Sequence, residues 1–148
     1  MEHSIAFYAE KLALAEKTRV PIPPLTGDDP SLTIDDAYAV QAANVKRLLR
    51  EGAVISGKKI GLTSPGMQQL LGVNEPDYGH LFSFMECARE ISAAELIQPK
   101  VEAEIAFILR EDLPDREVTP EDVKAATAYV VAAFEIVDSR ISDWKIKL

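Results

Sequence analysis

Three glutamates are the side chains in this sequence whose types and spacing could do chemistry. The segment VEAEIAFIL, residues 101–109, sets Glu102 and Glu104 inside what otherwise reads as a buried strand. Alternate residues of a strand share a face, so these two carboxylates lie on one side, about 7 Å apart by the strand rise. Val101, Ala103, Ile105, Phe107 and Leu109 share the other side. Glu135, in AAFEIVDSR, repeats the pattern, with Ala133 and Val137 at two-residue spacing. Carboxylates gathered away from water disfavour one another's charge and call for a positive group between them. Three acids in two strands therefore make a candidate hard-cation site, since magnesium and manganese favour oxygen ligands and keep waters that a substrate can displace. A pair of half-exposed strands with acids on the solvated face accounts for the same residues. The apolar surroundings of Glu135 weigh against that second reading without deciding it.

Lys59 stands near the end of a strand-like run, bounded by Gly57 and Gly61. From its surroundings alone it is a surface lysine with its stem laid over apolar neighbours. Asp77, in EPDYG, is by spacing a turn former beside Pro76 and Gly79. The segment GAVISGKK, residues 52–59, approaches a phosphate-binding loop, but Lys59 occupies the place where a Ser or Thr must meet magnesium, so that reading is rejected. No GxGxxG, HExxH, GxSxG or CxxC motif occurs. Cys87 is the only cysteine, which excludes an intrachain disulfide and a multi-thiolate metal site. His3 and His80 are too few and too isolated for a histidine cluster. Any bound metal must then be held by oxygens.

The chain has 148 residues, 47% of them hydrophobic, enough for one core or two small ones. A net charge of −8 and the lack of a dense basic face, beyond KRLLR at 46–50, argue against nucleic acid. No apolar run reaches the length of a membrane span. The first residues lack the basic and apolar regions of a secretory signal, and a soluble, cytoplasmic protein is the expectation.

These groups need elements to position them. Ile5, Tyr8, Leu12 and Ala15 predict a helix over 4–18. Four prolines in VPIPPLTGDDPS, residues 20–31, predict an extended, non-helical connector. Thr33 with Asp36 forms a capping-box signature for a helix reaching Glu51 and closed by Gly52. A strand is expected over 53–61, then a short helix started by Ser64–Pro65 and closed by Gly72. NEPDYGHLF reads as a turn entering an extended segment. Short strands are expected near 88–91 and 95–98, long ones over 100–110 and 129–140, and a helix capped by Thr119 between the long pair. Helices early and strands late indicate an α+β chain, with a helical N-terminal part over 1–62 and a β-rich part over 63–148.

Four separated phrases then coincide: KKIGLTSPGMQQLLGV, EPDYGHLF, PKVEAEIAFIL and FEIVDSRISDWKIKL, preceded by IPPL and LTIDDAYAVQ. In this order they resemble the 2-keto-4-pentenoate hydratase family of the fumarylacetoacetate hydrolase superfamily, over essentially the whole chain. The resemblance implies a mixed β-roll or barrel-like domain, here lacking its C-terminal part, because family chains continue for roughly another hundred residues, a domain-sized addition. It implies Mg2+ or Mn2+ held by Glu102, Glu104 and Glu135, and Lys59 and Asp77 as catalytic residues. Lys59, Leu62 and Tyr78 would contact substrate. The implied reaction is addition of water to a 2-hydroxy-2,4-dienoate, a small 2-oxo acid in its enol form, in aromatic-compound catabolism. The implied assembly is a homo-oligomer, with no nucleic-acid or membrane partner. The resemblance leaves two alternatives: 4-oxalocrotonate decarboxylase, and a non-catalytic truncated subunit that pairs with a full-length relative.

Overall fold

The computed structural model describes residues 4–87 and 89–146. Its elements are α1 (Ile5–Thr18), α2 (Leu25–Asp28), α3 (Ile34–Arg50), β1 (Ile55–Gly61), α4 (Pro65–Leu71), β2 (Asp77–Phe82), β3 (Pro99–Leu109), α5 (Pro120–Ala126) and β4 (Thr127–Asp138). The mixture of helix and sheet agrees with the α+β expectation. The strands form two separate antiparallel ribbons, β1–β2 and β3–β4. Contacts divide the chain into two units: residues 99–138, and the rest.

In the larger unit the helices begin where side chains can satisfy their first N–H groups. Ser4 caps α1 by accepting from the Phe7 N–H. Thr33 and Asp36 form the full reciprocal capping box of α3, and the Thr33 hydroxyl holds the Asp36 carboxyl below the usual range. Helices α1 and α3 meet through Tyr8, Ala9 and Val40, with Ile5, Leu12 and Ala43 partly buried around them. Asn44 adds a side-chain hydrogen bond to the Ala9 carbonyl at 3.0 Å. The connector after α1 is extended at Ile22, which bridges to Ile141. It is not extended throughout, as the prolines led one to expect. Leu25–Asp28 make one helical turn with Pro24 as its N-cap, a turn that contains no proline and sits behind one. Proline forbids helix on its N-terminal side and tolerates it just beyond. Lys11 pairs with Asp28 and fixes this turn to α1.

The short strands expected near 88–91 and 95–98 are not formed among the described residues. Ala88 lies outside them, and Ala93–Glu95 make a turn of 3-10 helix capped by Ser92. The apolar residues there are too few, and the Ser92 side chain offers the backbone a local bond instead.

The smaller unit is the β3–β4 ribbon with α5 before its second strand. Thr119 and Asp122 form another capping box, with Pro120 at the first helical position. Arg116 donates two hydrogen bonds to Asp122 at 2.7 and 2.8 Å. That guanidinium first, and Thr119 second, lower the Asp122 carboxyl to about 2. The strands were expected to be buried, and here the structure differs. Val101 is 64% exposed, Ile105 66%, Phe107 57% and Phe134 78%. A two-stranded ribbon has no third strand, so only another layer could cover this face.

Candidate metal centre

Register decides which acids meet. In the β3–β4 ladder Glu102 stands directly opposite Glu135, and Glu104 opposite Ala133. Opposite residues of an antiparallel pair project to the same face, so all three carboxylates share one side of the ribbon. One oxygen from each lies within 4.8 Å of the other two. Glu102 and Glu104 are exposed and Glu135 is half-buried. The sequence pattern alone separated Glu102 from Glu104 by about 7 Å at the backbone. Their side chains close that gap by leaning toward Glu135.

These oxygens fit a hard dication. Neighbouring ligands on one side of an octahedral magnesium, each at about 2.1 Å, are about 3 Å apart, and around calcium at about 2.3–2.6 Å somewhat more. The three oxygens lie within 4.8 Å of one another, so rotation of the carboxylates would bring them to that spacing around either ion. Three negative charges on one side leave further coordination positions for water or for an incoming oxygen ligand. The three charges repel one another, and a bound cation would offset that repulsion.

The lysine and aspartate lie in the other unit, on β1–β2. Lys59 pairs with Gly79, and Asp77 with Gly61, which puts both charged groups on one face of that ribbon. Both are half-buried. The Asp77 Oδ1 is buried and accepts no hydrogen bond. Tyr78 belongs to the opposite face, opposite Ile60. It stacks on Tyr38 of α3 with ring centroids 4.5 Å apart, and its carbonyl accepts from Gln41 Nε2 at 3.1 Å. Leu62 follows β1 with φ of +53°, a left-handed conformation that is strained for a residue of its size. Its carbonyl accepts from Gln68 Nε2 at 2.7 Å. Gln68 was not singled out by the sequence; a polar residue on the turn after Ser64–Pro65 carries no signal until the loop geometry is known.

The structure thus brings together Glu102, Glu104 and Glu135 in one unit, and Lys59 with Asp77 in the other. It places Tyr78 on the reverse face of the lysine–aspartate ribbon, and Leu62 just past the end of β1.

No protein-family model matches the chain. Curated relatives do. The chain is 48% identical over 141 residues to a 2-keto-4-pentenoate hydratase of Paraburkholderia xenovorans (strain LB400), covering 94% of this chain and 52% of that protein. It is 45% identical over 143 residues to a 2-hydroxyhexa-2,4-dienoate hydratase of Comamonas testosteroni, covering 94% and 54%. Among solved structures, it is similar to a 4-oxalocrotonate decarboxylase from Pseudomonas putida G7 complexed with magnesium and adipate. The TM-score is 0.89 at 34% identity, covering 97% of this chain and 55% of that one. A structure of the decarboxylase with calcium and acetate gives a TM-score of 0.86 at 35% identity. The chain spans about half the length of the curated relatives it matches.

Proposed function

We propose, from its likeness to the 2-keto-4-pentenoate hydratases, that the chain is a member of that family and carries the metal-binding part of a divalent-cation-dependent hydro-lyase acting on a 2-hydroxy-2,4-dienoate in aromatic-compound catabolism. The observation that carries this reading is the convergence of the Glu102, Glu104 and Glu135 oxygens within 4.8 Å. Residues 63–148 are read as the opening part of a β-roll domain. The site is proposed for Mg2+ or Mn2+, the assembly as a cytoplasmic homo-oligomer. When bound, the cation supplies Lewis-acid polarisation of a 2-oxo oxygen and charge balance for the neighbouring carboxylate.

The protein's own residues do the rest. The three glutamates would hold the cation. Lys59 would offer an ammonium to the substrate carboxylate and Leu62 would contact the substrate, whereas Tyr78, on the reverse face and stacked on Tyr38, is set aside as a contact and braces the ribbon. Hydration requires a proton at C5 as the dienol becomes a ketone, then hydroxyl at C4 and a proton at C3, giving 4-hydroxy-2-oxopentanoate. Atoms balance with one water consumed. Asp77 and Lys59 are the groups proposed to move these protons, each needing a positioned acid or base. The test is an assay of this chain with 2-hydroxypenta-2,4-dienoate and magnesium, followed at the dienol absorbance. Loss of absorbance that depends on metal and disappears in Glu135→Gln is expected. Carbon dioxide release from 4-oxalocrotonate without hydration of the dienoate would instead support the decarboxylase alternative.

A second reading is favoured by one observation, the exposed apolar face of β3–β4. In it the chain is a non-catalytic subunit that covers this face with a full-length relative. Size-exclusion chromatography with and without such a relative separates the two readings, since a catalytic chain acting alone elutes unchanged.

A further inference from the structure

Every charged residue on the inner face of the β1–β2 ribbon has a glycine directly across from it. Gly61 faces Asp77, and Gly79 faces Lys59. Neither glycine has a positive φ, the property of Gly52 and Gly72 alone among the described glycines, so backbone conformation does not call for glycine at 61 or 79. Space does. A Cβ on Gly61 would stand 2.2 Å from Asp77 Oδ1, 3.2 Å from its Cγ and 3.3 Å from Lys59 Nζ. A Cβ on Gly79 would meet the Lys59 stem at 3.3 and 3.6 Å. Both charged ends therefore converge over the bare Cα of Gly61.

We propose that Gly61 and Gly79 are positioning residues that let the Asp77 carboxylate and the Lys59 ammonium fold down onto one spot of the ribbon. Any side chain at 61 takes the place the carboxylate occupies. Asp77 must then rotate away, a movement that is cheap for the fold because the obstructing atom is the end of a short side chain, and expensive for the position of the charge. Gly79 acts more weakly, because the lysine stem it meets is flexible. Gly57 supplies the control. It lies on the same strand and the same face, but a Cβ there meets only Leu81, at 3.8 Å, an ordinary contact. The consequence for catalysis rests on the reading of Asp77 and Lys59 as the groups that move protons; the placement itself rests on geometry.

The experiment compares Gly61→Ala, Gly79→Ala and Gly57→Ala in this chain. In the NMR spectrum of the unsubstituted chain, cross-relaxation is expected between the Gly79 Hα protons and the Lys59 Hγ and Hδ protons. Gly61→Ala is expected to move the Asp77 13Cγ resonance and leave amide shifts outside the ribbon in place; Gly57→Ala is expected to do neither. In the dienoate assay Gly61→Ala should lower kcat by on the order of 100-fold with KM little changed, the cost of a misplaced catalytic group. In an Asp77→Asn background the same substitution should add less than about twofold, because the two act as a unit. An unmoved Asp77 resonance in Gly61→Ala, or an equal loss in Gly57→Ala, or a full loss repeated on top of Asp77→Asn, overturns the proposal. If the unsubstituted chain turns over no dienoate, the proton-moving reading fails, and the NMR comparison alone decides the placement.

Discussion

The β1–β2 and β3–β4 ribbons share strand number and antiparallel pairing, yet they differ in how many of their positions are covered. β1 alternates half-buried with exposed positions along its length. In the same unit, Phe82 at the end of β2 is buried and Tyr78 lies against Tyr38 of α3. β3 is exposed at all but one of its positions, although its sequence is the more apolar. Apolar composition records what a strand gains by being covered; it does not supply the layer that covers it. In the larger unit Tyr38 and Gln41 of α3 meet Tyr78 of β2, while the helices pack on each other through Tyr8, Ala9 and Val40. On β3–β4 the apolar face stays open, and its acids draw together on the other side.

The contrast can be broken most severely at Tyr8, whose side chain is wholly buried. Tyr8→Ala should cost about 3–5 kcal/mol by leaving a large cavity between α1 and α3. Phe134→Ser, at the most exposed aromatic position of the open face, should change stability by less than about 0.5 kcal/mol. Urea denaturation of both variants checks the pair, and a large loss at Phe134 would mean that its face is covered in solution.

The acidic face answers to metal. Glu135→Gln should weaken binding of Mn2+ by about 10- to 100-fold or more, the range that even outer-sphere partners of a metal command. Calorimetric titration reads this directly. Glu111→Gln, beyond the end of β3, should leave Mn2+ binding unchanged.

The smallest effect sharpens the contrast within the smaller unit, at α5. Thr119→Ala should cost about 1 kcal/mol through loss of the cap. The Asp122 carboxyl is lowered from 3.8 to about 2, chiefly by Arg116. The folded state therefore binds its proton less readily than the unfolded state. Its contribution is present above pH 3.8 and is lost as pH falls toward 2. Asp122→Asn should remove that part of the acid dependence, measured as the change in denaturation midpoint between pH 5 and 2.

Much of this was legible in the residues themselves. A capping box at Thr33 and a cap at Thr119 announced two helices, because a cap is a contact over a few residues and needs no distant partner. The alternation in VEAEIAFIL put Glu102 and Glu104 on one face by the pleat alone. A lone cysteine and two histidines left oxygen as the ligand type. The helical turn at Leu25–Asp28 was hidden behind prolines whose restriction runs in only one direction along the chain.

Tertiary structure decided the rest, because it depends on pairing between residues far apart in sequence. Glu135 joins the other two acids only in the register that sets it opposite Glu102; a slip of one residue would turn it to the apolar face. That register holds across an irregularity where Ile108 pairs with Tyr129 and Leu109 with Thr127, so that Ala128 is left over. Likewise, nothing in the order of residues 57–79 says that Gly61 faces Asp77 and Gly79 faces Lys59. Side-chain alternation is fixed by local bond geometry and can be read along one strand, whereas the neighbour across the ladder, and whether a further layer covers the face, are set by how distant segments pack.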